Sequence, residues 1–176
     1  MALVFKWLIR IVSGLLVLAI LGVSLVYYLA AQSLPDYDVT RETKGITAPV
    51  EIVRNNANIP HIFGQTDQDV FFGLGYVHAQ DRLWQMMMMR RTAQGRLSEL
   101  FGERTLKVDE LMRRLDLYRL AQEAVDDQDK DTKAALGAYA SGVNAYLSRI
   151  NSDALGRGAP EFFLFSNDIS PWQPAD

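Results

Sequence analysis

The chain has 176 residues, 49% of them hydrophobic and 22% charged, with no cysteine and a formal net charge of -3, which places it among folded rather than disordered sequences and allows one modest domain. The lack of cysteine excludes disulfides, thiolate catalysis and thiolate metal sites together. The acidic balance, stronger still once Lys6 and Arg10 are set aside with the apolar N-terminus, carries no electrostatic footprint for nucleic acid.

Residues 11–31 contain no charged side chain, matching the roughly 20 residues that a helix needs to cross a hydrocarbon core. Lys6 and Arg10 precede this run, and no Asp or Glu occurs before Asp36, an order that keeps the N-terminus cytoplasmic and delivers the remainder across the membrane. A cleavable signal has an apolar core of about 7–15 residues and small residues before its cut. Here the run is longer, and Tyr28 and Leu29 stand where small residues would be needed beside Ala30 and Ala31. Residues 1–31 therefore read as a retained membrane anchor, with a cleaved signal as the alternative. Residues 32–48, which include Ser33, Pro35, Asp36, Asp38 and Gly45, show no sustained period and read as a linker. The folded part is expected over residues 49–176.

Residues 50–54 alternate apolar and polar positions as a half-buried strand does. Asn55 to Asn58 supply turn chemistry, because Asn tolerates left-handed backbone angles. Residues 60–63 return as the second strand of a hairpin, with Pro60, which lacks an amide donor, at its start. Thr66 or Asp67 caps a helix with Val70, Phe71, Leu74, Val77, Leu83 and Trp84 on its apolar side, running to about Ala93 before Gly95 interrupts it. Gly73 and Gly75 weaken such a helix by roughly 1 kcal/mol each, and the predicted compensation is close approach of a neighbouring element. Met86 to Met89 place thioethers around a whole turn, which predicts an enclosed turn. A short helix over residues 96–101, a third over 109–123 and a fourth over 132–150 follow from apolar spacing, with a polar loop over 126–130. Residues 151–159 end the fourth helix, and residues 160–165 read as an extended buried segment. The expected class is mainly α with a short N-terminal β-hairpin.

The run Gly73-Leu74-Gly75-Tyr76-Val77-His78-Ala79-Gln80-Asp81-Arg82-Leu83-Trp84-Gln85-Met86 is too particular to be an ordinary amphipathic helix. With Ile59-Pro60-His61-Ile62 before it and Gly95-Arg96-Leu97-Ser98-Glu99 after it, it resembles the start of the α chain of the penicillin acylase family, amidohydrolases of the N-terminal nucleophile class. Ala138-Tyr139-Ala140-Ser141-Gly142-Val143-Asn144-Ala145-Tyr146, Pro160-Glu161-Phe162 and Pro171-Trp172 extend the likeness to residues 49–176. Asn55 stands where the family usually has Asp, Asn58 where it has Gly, and Met87 where an acidic residue is common. The first two exchanges keep the turn chemistry, and nothing explains the third.

The resemblance implies that this part supplies helices around a catalytic chain in a complete αββα enzyme. That enzyme would hydrolyse linear carbon–nitrogen amide bonds in penicillin, acyl-homoserine lactones or related acylated amines. Its nucleophile is a serine whose own free α-amino group serves as base, exposed when the precursor cleaves itself. None of Ser13, Ser24, Ser33, Ser98, Ser141, Ser148, Ser152, Ser166 or Ser170 lies at such a processing site, and an internal serine has no α-amine to activate it. The oxyanion donors belong to the second chain. No catalytic, substrate-binding or metal residue is carried over to this sequence. No cofactor is expected in this chain. The resemblance leaves calcium to the complete enzyme, with the carboxylate that some members contribute falling beyond Asp176. Ser170 to Asp176 form a turn ending on a good helix-capping residue with no helix behind it, so an incomplete α chain is expected. The implied partners are the catalytic β chain of the same precursor, a small acylated amine, and the membrane through residues 11–31. The implied location is the periplasmic side of the bacterial inner membrane, or the periplasm or exterior if the N-terminal segment is removed.

Other chemistry is weaker. His61 and His78 are the only histidines, and Asp81 shares a helical face with His78, but a metal site lacks a third strong ligand. The plainer expectation is that His61 fixes the hairpin turn while His78 and Asp81 make buried hydrogen bonds at a chain interface. Arg82, Arg90, Arg91 and Arg96 are candidates to clamp a substrate carboxylate, against the expectation that they hold helices together or pair with carboxylates of the second chain. Phe71, Phe72, Tyr76 and Trp84 fit core packing better than an acyl pocket, and Tyr139, Tyr146, Phe162, Phe163, Phe165 and Trp172 read as packing residues too. The rival function is a membrane-anchored helical interaction module without catalysis, which leaves the signature run unexplained.

Overall fold

A computed structural model describes residues 2–152, 158–163, 165 and 169–176. Helix α1 (Ala2–Gln32) is followed by strands β1 (Glu51–Arg54) and β2 (Pro60–Phe63), then α2 (Asp67–Ala93), α3 (Ser98–Phe101), α4 (Leu106–Leu115), α5 (Leu117–Asp126) and α6 (Lys130–Ser152). Short 3-10 turns cover Gly102–Thr105 and Pro160–Phe163. The mainly helical class with one hairpin is as the sequence implies.

Helix α1 is long and apolar enough to cross a membrane, and its side chains stand away from the rest of the chain. Only its end touches the domain: Leu29 and Ala30 are half-buried and Ser33 is 4% exposed, its hydroxyl donating to the Ala30 carbonyl at 2.7 Å. Residues 33–50 form no helix or strand. They lie against the domain where Thr47 donates its amide and hydroxyl to Asp69 and where Gly45 meets the Phe72 ring.

The hairpin is antiparallel, with Ile52 opposite Ile62 and Val53 opposite His61. Its turn is held by Asn55, whose Oδ1 accepts from the amides of Ala57 and Ile59 at 3.0 Å each, while Asn58 takes the left-handed conformation at φ +59°. His61, expected to fix this turn, stands exposed on β2 instead.

Thr66 caps α2 by accepting from the Asp69 amide, and Asp69 accepts the Thr66 hydroxyl in return at 2.8 Å, a reciprocal cap. The helix kinks at Arg82, whose φ of -138° and ψ of 19° leave the helical region. The core is the seam between α2 and α6. Ala79, Leu83 and Met87 meet Ala140, Val143, Tyr146, Leu147 and Ile150, and Phe162, Ile169 and Trp172 close one end. Two glycines set the spacing. A Cβ on Gly75 would overlap the Tyr139 carbonyl oxygen, and one on Gly142 would overlap the Phe72 carbonyl oxygen. Gly73 faces the hairpin instead, where a Cβ would come within 2.7 Å of Ile62 Cγ2. The predicted close approach is thus real at both α2 glycines, with different neighbours.

Three local expectations are corrected. The methionine turn is only partly enclosed: Met87 is buried, but Met89 is 74% exposed. The single helix expected over residues 109–123 is two helices, because Asp116 turns left-handed at φ 54° and ψ 36° between α4 and α5; Asp is among the few residues that tolerate this region. Residues 160–163 curl into a 3-10 turn rather than extending, although Phe162 is buried as expected. The expected end of the fourth helix falls partly on residues 153–157, which with Leu164 lie outside the described residues.

Candidate functional site

The segments that make the sequence distinctive converge on one another. Arg54, at the end of β1, donates to both carboxylate oxygens of Asp81 at 2.9 and 3.0 Å and to the Gln80 side chain at 3.0 Å. Its guanidinium also lies 4.0 Å from the centre of the Tyr37 ring. The hairpin, the signature helix and the segment that follows α1 are thereby tied at one point, by a bidentate pair of the kind that fixes orientation.

At the other end of α2, Arg90 Nη1 donates to the carbonyls of Ser170 and Pro171 and to Asp176 Oδ2 at 3.2–3.3 Å. The same guanidinium lies 4.7 Å from the centre of the Trp172 ring. Asp176, whose side chain is 1% exposed, also accepts from the Tyr118 hydroxyl at 3.0 Å. Burial first, then the Asp176 carboxylate, raises the Tyr118 phenol above its ordinary value. Asn144 completes the set: its Nδ2 donates to the Trp172 carbonyl at 2.9 Å and its Oδ1 accepts the Trp172 amide at 2.6 Å. One amide side chain in α6 thus satisfies both backbone groups of Trp172.

Asp109, buried in α4, accepts from the amides of Leu97 and Ser98, the first turn of α3, at 2.9 and 2.7 Å. Burial alone would raise its carboxyl, but the bonds from Ser98 and Leu97 and the Arg113 charge outweigh that and hold it below the ordinary carboxylate value. Arg91 and Arg96 share Glu99, at 2.6 and 2.7 Å. The hydrogen bond from Arg96 is the main reason that the Glu99 carboxyl is lowered.

The weaker candidates do not assemble into a reaction centre. His78 and Asp81 are both exposed in this chain. The His78 ring meets the Tyr139 hydroxyl at 3.0 Å, and Asp81 is taken by Arg54. Asp81 stands just before the non-helical Arg82 and pairs with the end of β1. Ser33 donates its hydroxyl to the Ala30 carbonyl at the end of α1, and Ser141 and Ser152 donate theirs to the Gly137 and Arg149 carbonyls of α6. Among the described residues no three His, Asp or Glu side chains gather to hold a metal ion. Arg90, Arg91 and Arg96 are spent on the framework, while Arg82 is exposed and has no hydrogen-bond partner among the described residues. Phe71 is exposed, Phe72 is buried, and Tyr76 and Trp84 pack at the core's edge, edge-on to Tyr146 and Phe162 at 5.5 and 5.4 Å. Burial pushes the Tyr146 phenol up to about 12, and its hydroxyl has no partner among the described residues.

Arg54, Asn144, Asp109 and Asp176 escaped the sequence reading. The available signal was that Asn144 and Trp172 each sit inside a distinctive segment.

Comparison with known proteins follows the same residues. The penicillin amidase family model matches residues 49–176. The chain is 36% identical over 145 residues to penicillin acylase 2 proenzyme of Pseudomonas sp. (strain SE83), covering 81% of this chain and 18% of that protein. It is 41% identical over 138 residues to acyl-homoserine lactone acylase QuiP of Pseudomonas syringae pv. tomato, covering 76% and 16%. Among solved structures, the thermostable penicillin G acylase from Alcaligenes faecalis superposes with a TM-score of 0.65 at 28% identity, over 72% of this chain and 67% of that one. The chain thus spans 16–18% of the length of these two curated relatives.

Proposed function

The chain belongs to the penicillin amidase family, and from that membership we propose that it supplies the amino-terminal helical framework of an amidohydrolase acting on acylated amines. The observation that carries this reading is that the segments matched by the family interlock: Arg54 with Asp81, Gly75 against the α6 backbone, Asn144 and Arg90 with Trp172. The names of the relatives, a penicillin acylase proenzyme and an acyl-homoserine lactone acylase, support a substrate with a linear carbon–nitrogen amide bond.

In the proposed reaction a serine at the free amino terminus of a second chain attacks the amide carbonyl. The serine proton passes through its own α-amine to the leaving nitrogen, the carbon–nitrogen bond breaks, and water then hydrolyses the acyl-enzyme. The proenzyme relative supports a precursor that is cut. This chain's residues hold the framework rigid and leave a surface for that second chain. Leu106, Leu111, Leu115, Leu117 and Leu120 on α4 and α5 are all exposed, an apolar array of the kind that marks a protein interface. We assign no catalytic residue and no calcium ligand to this chain. Helix α1, with Lys6 and Arg10 at its start, is proposed to hold the enzyme on the periplasmic face of the inner membrane.

A sulfonyl fluoride that modifies nucleophilic serines, applied to the native membrane fraction and mapped by mass spectrometry, tests the reading. The label is expected on the first residue of a different polypeptide that copurifies with this chain. A label on a serine within residues 1–176 overturns it.

A further inference from the structure

We infer that the cleft beside the end of α1 holds the headgroup of a zwitterionic phospholipid of the ethanolamine type; the inference rests on the membrane anchoring proposed above. The cleft encloses about 500 Å³, within the usual range of roughly 300–1,000 Å³ for ligand sites. Its walls are residues 33–35, the hairpin tip at Ala57 and Asn58, the kinked stretch of α2 over residues 80–85, and residues 158–161.

Connectivity fixes its depth. The 31 residues of α1 span roughly 46 Å at about 1.5 Å per residue, compared with about 30 Å for the hydrocarbon core and about 40–45 Å with the headgroup layers. The last turn of α1 therefore stands among headgroups, where exposed Tyr27 and Tyr28 suit the interface. Ser33, Leu34 and Pro35 follow directly, within about 11 Å of Gln32 at 3.8 Å per residue. Ser33 is buried against the domain, so no slack lifts the cleft away from the bilayer.

Charge selects the occupant. Arg54 and Asp81 already neutralise each other at 2.9 Å. That leaves one cation and one anion on the cleft walls, Arg82 and Glu161, each without a side-chain hydrogen bond or ion pair among the described residues, and not paired with each other. The non-helical backbone at Arg82 breaks the register of the α2 face just where the cleft opens. A guanidinium is the better partner for a phosphate, and a carboxylate accepts from a primary ammonium. A glycerol headgroup would offer Glu161 only uncharged hydroxyls, and a choline group has no N–H to donate. Leu34, 70% exposed at the rim, offers an apolar contact to the start of the acyl chains.

The test is native mass spectrometry of the full chain released from nanodiscs made of equal parts phosphatidylethanolamine, phosphatidylglycerol and phosphatidylcholine. Phosphatidylethanolamine is expected to be retained roughly fivefold over the other two, as fits one charge-assisted contact from its ammonium. Glu161→Gln should bring the three lipids to parity, Arg82→Ala should weaken retention of all three because each carries the phosphate, and Glu161→Lys should turn the preference to phosphatidylglycerol. Circular dichroism checks that these surface variants keep the wild-type fold. Equal retention of the three lipids by the wild type, an unchanged preference in Glu161→Gln, or unchanged retention of all three in Arg82→Ala overturns the inference. Alkaline carbonate extraction reports the anchor separately. A chain washed from membranes contradicts the anchoring, whereas a chain that stays in the pellet without lipid preference contradicts only the cleft.

Discussion

At the residue scale, the seam between α2 and α6 depends on two missing methyl groups. Alanine ordinarily favours a helix over glycine by about 1 kcal/mol, so Gly→Ala at an open helical site should stabilise. Gly137, with nothing within 4 Å of its would-be Cβ, is such a site on α6, and Gly142, against the Phe72 carbonyl, is its opposite on the same helix. Gly137→Ala should raise stability by about 0.5–1 kcal/mol, and Gly142→Ala should lower it by about 3 kcal/mol, as overpacking against backbone does. Denaturant unfolding of the two variants decides this. Equal effects would mean that the helices are not held as described. Asn144→Ala strands both backbone groups of the half-enclosed Trp172 contact and should cost about 2 kcal/mol, read in the same way. The close approach was legible because glycine inside a helical run needs a reason. The partners of Asn144 and Asp81 were not, since a long-range hydrogen bond leaves no periodic trace in sequence.

At the element scale, α3 is too short to stand alone, and its start is tied down by a carboxylate from another helix. Asp109 holds the first amides of α3 at 2.7–2.9 Å. A carboxyl held below its ordinary value of about 3.9 binds protons more weakly in the folded chain than in the unfolded one. It therefore stabilises the fold above that value, and the contribution disappears as pH falls through its lower, folded-state pKa. Asp69, lowered chiefly by the Thr47 amide and hydroxyl, acts in the same direction. Asp109→Asn should be less stable than the parent at pH 7, with the difference shrinking below about pH 4. Melting curves across that range would contradict the assignment if the difference were independent of pH. The break between α4 and α5 was hidden from the sequence reading for a related reason. Apolar spacing continues through Leu115, Leu117 and Leu120, while the helix is interrupted at a single left-handed Asp116 that pairs with Arg119. Periodicity reports which face is apolar and cannot register one residue's change of backbone region.

At the scale of the molecule, hairpin, cap, α2, α6 and α1 were all readable, because each has local chemistry: alternation, an N-cap, helical spacing, an uncharged apolar run. The arrangement of α4 and α5 was less so, since their leucines stay in solvent; Leu111 is 51% exposed. Residues 33–176 without α1 should therefore associate and bind an apolar dye strongly, whereas a monomer with a single sharp melt and no dye binding would contradict an interface there. Substrate choice was not legible in these residues.

The most direct measurement is hydrolysis of a chromogenic acylated amine by the purified 176-residue chain, alone and after coexpression with the serine-initiated chain of a relative. The account predicts no turnover above buffer by the chain alone and turnover once the second chain is present. Steady turnover by these residues alone, abolished by replacing one of their own serines, would contradict it.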